Sequence, residues 1–181
     1  MRNLVNFALF QIGWFACVLG AAHDAVAVGM CAALVICAVH VGAVARDRGR
    51  EVHLLAVVTA AGSALTAFNV ANGAVTFAES PARLALGGVP AWIPCLWALF
   101  ATLLRHSLAW LQGRPLLAAL LALVGSPLSY AGAERLGAVE IHAAFARGPL
   151  VLGVTWAAAV PAALWLAARR NGAGTTAGAD A

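Results

Sequence analysis

The sequence predicts an all-α protein, a polytopic membrane helical bundle of six transmembrane helices that forms one domain over residues 1–170. The composition predicts a membrane protein, since 63% of the residues are hydrophobic and only 10% are charged. A soluble domain carries about 25% charged residues. The apolar residues also form long runs, and a membrane-spanning helix needs about 20 of them in succession. The small, polar tail at 171–181 predicts disorder on the cytoplasmic side.

Six apolar runs are long enough to cross a bilayer. They are Leu4–Ala22, Ala25–Ala45, His53–Val75, Ala91–Leu111, Leu116–Ala133 and Pro149–Ala168. Polar or turn-forming stretches separate the runs, for example Arg46–Glu51 between the second and the third. The last break, Glu134–Arg147, predicts either a short interfacial helix or a structured outer loop. Gly20–Ala22 resembles a signal-peptide cleavage site, but the long run before it favours a retained first span.

The arginines predict the orientation of the bundle. All eleven basic residues are Arg, and a cytoplasmic N-terminus places eight of them at the inner side. The other three, Arg83, Arg135 and Arg147, are then at the outer side. Such a bias predicts a multi-pass protein of the bacterial inner membrane with both termini in the cytoplasm. The arginines lie between apolar runs rather than along one face, which argues against a nucleic-acid partner.

Several polar residues inside the runs are candidates for a polar interior. Thr66 and Asn69 share one face of the third span. Such residues either form hydrogen bonds to neighbouring helices or line a hydrated cavity. Gln11 is mid-membrane and needs a partner, for which the Thr66–Asn69 region is the predicted one. The full candidate set is Asn6, Gln11, Thr66, Asn69, Arg105, His106, Ser107, Ser129 and Tyr130.

The stretch Arg105-His106-Ser107 is the most unusual feature of the fourth run. Arg105 stands about 9 Å of helix before the inner end of that run, so its side chain can reach the inner headgroups. The alternative is that Arg105 and His106 face the interior and hold an anion or relay a proton. His40 and His53 are expected at the same depth.

No catalytic set, metal site or cofactor is predicted. The three histidines have no spacing of the HxxH or HExxH type, which is the usual sign of a metal site in a sequence. No GxSxG motif or phosphate loop is present, and no Asp or Glu lies in the middle of an apolar run. Haem or quinone binding by the histidines is a third, weaker hypothesis.

Three phrases of the sequence resemble a known family. They are NFALFQIGWFACVLGAA at 6–22, PAWIPCLWALFATLLRHSLAWL at 90–111 and GSPLSYAGAERLGA at 125–138. In this order they resemble DUF2878, a bacterial membrane family of unknown function, over nearly the whole chain except the tail. The resemblance implies an inner-membrane protein and supplies no catalytic residues. Members of that family are often encoded near cyclopropane-fatty-acid-synthase-like genes. The resemblance therefore implies a link to lipid modification or envelope stress.

We expect a non-enzymatic membrane component that is transporter-like or lipid-associated and has membrane lipids as partners. In this hypothesis the polar groups of spans one, three, four and five face one common interior. A cavity that contains Gln11, Asn69, His106 and Ser129 would support it, and lipid-facing positions for these residues would count against it.

The alternative hypothesis is a membrane enzyme, or an enzyme subunit, in lipid modification or the envelope stress response. It predicts that Arg105 and His106 converge with His40 or His53 at an opening toward the inner leaflet. The sequence leaves open whether the chain forms a homo-oligomer or binds a membrane partner protein.

Overall fold

The computed structural model describes residues 2–77, 88–141 and 147–172, with side chains up to Arg169. Its helices are α1 (Arg2–Ala22), α2 (Val26–Val39), α3 (Arg48–Ala71), α4 (Trp92–Ala101), α5 (Pro115–Arg135) and α6 (Arg147–Gly172). The prediction of an all-α fold is confirmed. The structure also has two strands of three residues each, which the sequence did not predict. Asn171 and Gly172 belong to α6, and the rest of the predicted tail lies outside the described residues.

Successive helices run in opposite directions, so both ends of the described chain are at the same end of the bundle. Hydrogen bonds join the start of α1 to the turns after α4, and the same turns to the last part of α6. We call this the arginine-rich end, because it carries Arg2, Arg46, Arg48, Arg50, Arg114 and Arg169. The opposite end, which carries the two strands, is called the strand end.

The outer surface of the bundle is apolar. In the described ranges, five helical segments are long and apolar enough to cross a membrane, and α4 is a shorter apolar helix. Large hydrophobic side chains stand on the outside, among them Leu4 at 74% exposure and Leu116 at 81%. A large contiguous apolar surface is costly to expose to water. Such a surface is typical of proteins that contact lipid or another protein.

The fourth span departs from its prediction. A continuous helix over Ala91–Leu111 is wrong, because α4 ends at Ala101 and the chain continues in turns to a 3₁₀ turn at Ala109–Leu111. Backbone bonds of the i to i−3 type tighten the chain from Thr102 onward. The Thr102 hydroxyl also donates to the Leu99 carbonyl at 2.7 Å. These bonds replace the helical pattern and turn residues 105–107 toward the other helices.

The end of α2 carries a second irregularity. His40–Val44 form a π-turn, in which the Ala45 amide donates to the His40 carbonyl five residues earlier. A π-turn widens the helix and is frequent at functional sites. It places the His40 side chain in the interior, where 3% of its surface is exposed.

The break at Glu134–Arg147 forms a strand rather than an interfacial helix in its described part. β2 (Val139–Ile141) pairs antiparallel with β1 (Val75–Phe77), with Val75 opposite Ile141. Glu134 supports the pair, since its Oε1 accepts a hydrogen bond from the Ile141 amide at 2.7 Å. The described part of this break therefore agrees better with a structured loop than with an interfacial helix.

Candidate functional site

A cluster of buried polar side chains lies inside the arginine-rich end. His40 begins the π-turn after α2, and Glu51 stands in the first turn of α3. Arg105 and His106 come from the turns after α4. The two irregular segments of the backbone thus supply three of these four side chains, one from the π-turn and two from the turns after α4.

Glu51 is the centre of the cluster. Its Oε2 accepts from Nη1 of Arg105 at 3.1 Å, and its Oε1 pairs with Nε2 of His40 at 2.9 Å. Only 2% of Glu51 is exposed, and 10% of the Arg105 side chain. Nε of Arg105 also donates to the Ala167 carbonyl at 3.3 Å, which ties α6 to the cluster. The carboxylate and the guanidinium neutralise each other where water is excluded.

Asn6 connects the cluster to α1. Its amide nitrogen lies 3.3 Å from the Thr102 carbonyl and 3.5 Å from Nδ1 of His40. The single proton of the Ser107 hydroxyl is within reach of two acceptors, the Asn6 side-chain oxygen and the Asn3 carbonyl. If the amide donates to Nδ1, then His40 carries its proton on Nε2 and donates it to Glu51.

His106 completes the cluster. Its ring meets that of His40 edge to face, with ring centroids 4.8 Å apart. Five buried side-chain atoms of the described residues have no hydrogen-bond partner, and two of them, Nδ1 of His106 and Nη2 of Arg105, belong to this cluster. Buried donors and acceptors are normally paired, so each such atom calls for an explanation. One ligand atom from each of His40, Glu51 and His106 lies within 4.8 Å of the other two.

A narrow pocket lies beside α1. It is lined by Arg2, Asn6, His40 and Thr102 together with four apolar side chains, Val5, Leu9, Ile36 and Val44. Among the polar side chains described above, it reaches Asn6 and His40. The rings of His40 and His106 are in direct contact, so no haem plane fits between them.

Sequence reasoning missed Glu51, because the charged stretch Arg46–Glu51 predicts a loop. The signal that could have found it is Asp47. The Asp47 side chain caps α3 and accepts from the Arg50 amide at 3.1 Å. An aspartate at a helix N-cap starts the helix early and brings Glu51 into its first turn.

A second polar group lies toward the strand end. Trp97 donates to the Thr66 hydroxyl at 3.0 Å and stacks on Trp156 with ring centroids 4.5 Å apart. Asn69 donates to the Thr155 hydroxyl at 3.3 Å. The Tyr130 side chain lies beside Thr66 and Trp156. These contacts are hydrogen bonds and ring packing between helices, which is one of the two explanations considered for the polar face of α3.

The candidate residues do not form one common interior. Eighteen residues of α3, or about 27 Å of helix, separate Glu51 from Asn69. Ser129 is exposed, so the prediction that it faces the interior is wrong. Ser126 is the buried serine of α5 and donates to the Leu152 carbonyl at 3.2 Å. The sequence around Pro127, which lies inside α5, does not indicate which of the two nearby serines faces inward.

One further expectation about partners is also wrong. Gln11 is half-buried, and in the described ranges no hydrogen bond joins it to Thr66 or Asn69. The reason is that α1 packs mainly against α2 and α4, not against α3. His53 is exposed and lies outside the cluster, so His40 and His106 are the two histidines that converge.

We expect replacement of Thr66 by Val to destabilise the protein by about 1–3 kcal/mol, because the buried indole N–H of Trp97 then loses its acceptor. Unfolding in mixed detergent micelles measures the change. Thr66→Ser keeps the hydroxyl and serves as the control. Equal stability of the Val and Ser variants would contradict the role of this bond.

The chain is similar to known proteins at the level of a family. The family described as "Protein of unknown function (DUF2878)" matches residues 3–162. No curated protein and no solved structure matches the chain. The match covers all six helices except the end of α6 and includes the three phrases that carry the resemblance. The chain therefore belongs to the DUF2878 family.

Proposed function

We propose that the protein is a multi-pass, lipid-associated protein of the bacterial inner membrane that binds a small polar ligand at the buried cluster. The observation that carries this proposal is the ion pair of Glu51 and Arg105, enclosed together with His40 and His106 at one end of an apolar bundle. The protein holds its ligand without transforming it.

The apolar exterior supports the membrane location. Five helical segments have the length and composition of membrane spans, and exposed Leu and Val side chains cover them. Arginines gather at one end of the bundle, where the positive-inside rule favours the cytoplasm. Membrane lipids are then the partners of the outer surface, and the cluster lies near the cytoplasmic leaflet.

Stability alone explains the cluster poorly. A buried ion pair gives little net stability, because desolvation of both charges offsets their attraction. Ionisable residues buried inside a membrane protein usually mark a functional site. In this cluster Nη2 of Arg105 and Nδ1 of His106 have no hydrogen-bond partner within the described part of the chain. The narrow pocket fits a small bound group better than a wide transport path.

Reporter fusions test the orientation. The full chain with a C-terminal green fluorescent protein should be fluorescent in the cell, and the same chain with C-terminal alkaline phosphatase should be inactive. Both outcomes follow from an even number of spans with the arginine-rich end inside. An active phosphatase fusion, with no fluorescence from the other, would show that the orientation is wrong.

Mass spectrometry of the intact protein in mild detergent tests ligand binding. We expect a bound species on the wild type that is lost on His106→Ala and kept on His53→Ala, the exposed histidine outside the cluster. Normal folding of both variants is checked by size-exclusion chromatography. A wild-type protein that carries nothing, or the same species on all three proteins, would overturn the proposed site.

A membrane enzyme acting on lipid is the second candidate. The convergence of Arg105 and His106 with His40 near a pocket favours it, since paired imidazoles beside a carboxylate can move protons. In cells, His106→Ala should then change the lipid profile as deletion of the gene does. A lipid profile that deletion leaves unchanged would remove this candidate.

A further inference from the structure

We propose that His40, Glu51 and His106 bind one divalent transition-metal ion. This inference rests on the proposed function, since it names the ligand of the same site. The three residues come from three different elements, the π-turn after α2, the first turn of α3 and the turns after α4. No motif spacing along the chain can therefore reveal them.

The spacing of the ligand atoms suits a metal ion. One atom from each residue lies within 4.8 Å of the others. In a tetrahedral site with metal–ligand bonds of about 2.1 Å, two ligand atoms are about 3.4 Å apart. The widest pair of ligand atoms therefore needs to close by about 1.4 Å when the ion binds. Nε2 of His40 and Oε1 of Glu51, now 2.9 Å apart, would share the ion instead of a proton.

The surroundings of the three residues resemble an outer shell of metal ligands. Asn6 lies at Nδ1 of His40, the nitrogen opposite the one that faces Glu51. Arg105 fixes the Glu51 carboxylate through Oε2, so that Oε1, which now pairs with Nε2 of His40, is the oxygen that would bind an ion. Partners of this kind orient the ligands, and their loss lowers metal affinity about 10–100-fold.

Charge and ligand type decide which ion fits. Two imidazoles and one carboxylate suit Zn²⁺ or Fe²⁺, whereas Mg²⁺ and Ca²⁺ prefer oxygen ligands. The charges of Glu51 and Arg105 cancel, so a bound dication needs a further anionic ligand. Nη2 of Arg105 is buried without a partner among the described residues and can donate to that anion.

Metal analysis of the purified full-length protein tests the proposal. After treatment with a chelator, the protein in mild detergent is titrated with Zn²⁺ and, separately, with Co²⁺ as a spectroscopic probe. We expect one ion per chain, a visible Co²⁺ spectrum and a higher melting temperature with Zn²⁺. His40→Ala and His106→Ala should abolish binding, and Asn6→Ala should weaken it about 10–100-fold. His53→Ala is the matched control and should bind like the wild type.

Two outcomes would overturn the metal site. One is a folded wild-type protein that binds neither ion, a result that needs no variant. The other is unchanged binding in His40→Ala and His106→Ala. An organic species lost on His106→Ala, on a protein without metal affinity, would retain the proposed function and reject the metal. If the site binds metal and His106→Ala leaves the lipid profile of cells unchanged, the metal site is retained and the enzyme alternative is rejected.

Discussion

Replacement of Glu51 by Ala is expected to lower the free energy of unfolding by about 3–5 kcal/mol, because Arg105 then remains buried without its countercharge. His40 loses a hydrogen-bond partner in the same variant. Unfolding in mixed detergent micelles, followed by circular dichroism, measures the loss. No other single carboxylate in the described residues is held by both an arginine and a histidine.

Glu140→Ala is the matched control, since Glu140 is exposed on β2. That variant should unfold within about 0.5 kcal/mol of the wild type. Replacing Glu51 and Arg105 together by Met removes both charges and should recover part of the loss. Equal stability of Glu51→Ala and Glu140→Ala would show that the buried pair does not form.

Gly62→Ala is expected to give the second large effect, a loss of about 1–3 kcal/mol from overpacking. A Cβ atom at Gly62 would stand 1.9 Å from the Trp97 ring, far inside contact distance. The ring can move only by breaking its hydrogen bond to Thr66 and its stack on Trp156. The shift is visible as a change in tryptophan fluorescence together with a lower melting temperature.

Gly125→Ala separates this clash from the general effect of alanine in a helix. Gly125 lies on α5, and nothing stands within 4 Å of a Cβ built there. Alanine should therefore leave stability unchanged or raise it by about 0.5–1 kcal/mol. A Gly62→Ala protein as stable as the Gly125→Ala protein would contradict the close packing of α3 on α4.

The apolar runs predicted most of the fold because hydrophobic length depends on local sequence. The starts and ends of α1, α5 and α6 agree with the predicted spans to within about four residues, and so do those of α2 when the π-turn to Val44 is included. α4 does not, since the choice between an α-helix and i to i−3 turns after Ala101 depends on where Arg105 and Thr102 find partners. The π-turn at His40 depends on its burial against Glu51 in the same way.

The candidate site was predicted in part. Asn6, Arg105, His106 and Ser107 do lie together, and their position near one end of the spans follows from the sequence. Glu51 was not found, because a charged residue in a polar break looks solvated unless its partners are known. Those partners are 11 and 54 positions away in the chain. Local patterns carry no information about contacts of that kind.

The same separation has a consequence for the order in which the protein is made. Glu51 leaves the ribosome 54 residues before Arg105, which corresponds to roughly 3–10 s at 5–20 residues per second. During that interval α1, α2 and α3 exist while the cation that neutralises Glu51 does not. In the proposed membrane location, the first three helices would enter the lipid before Glu51 has its cationic partner. The ion pair that joins α3 to the turns after α4 can form only after those turns are made.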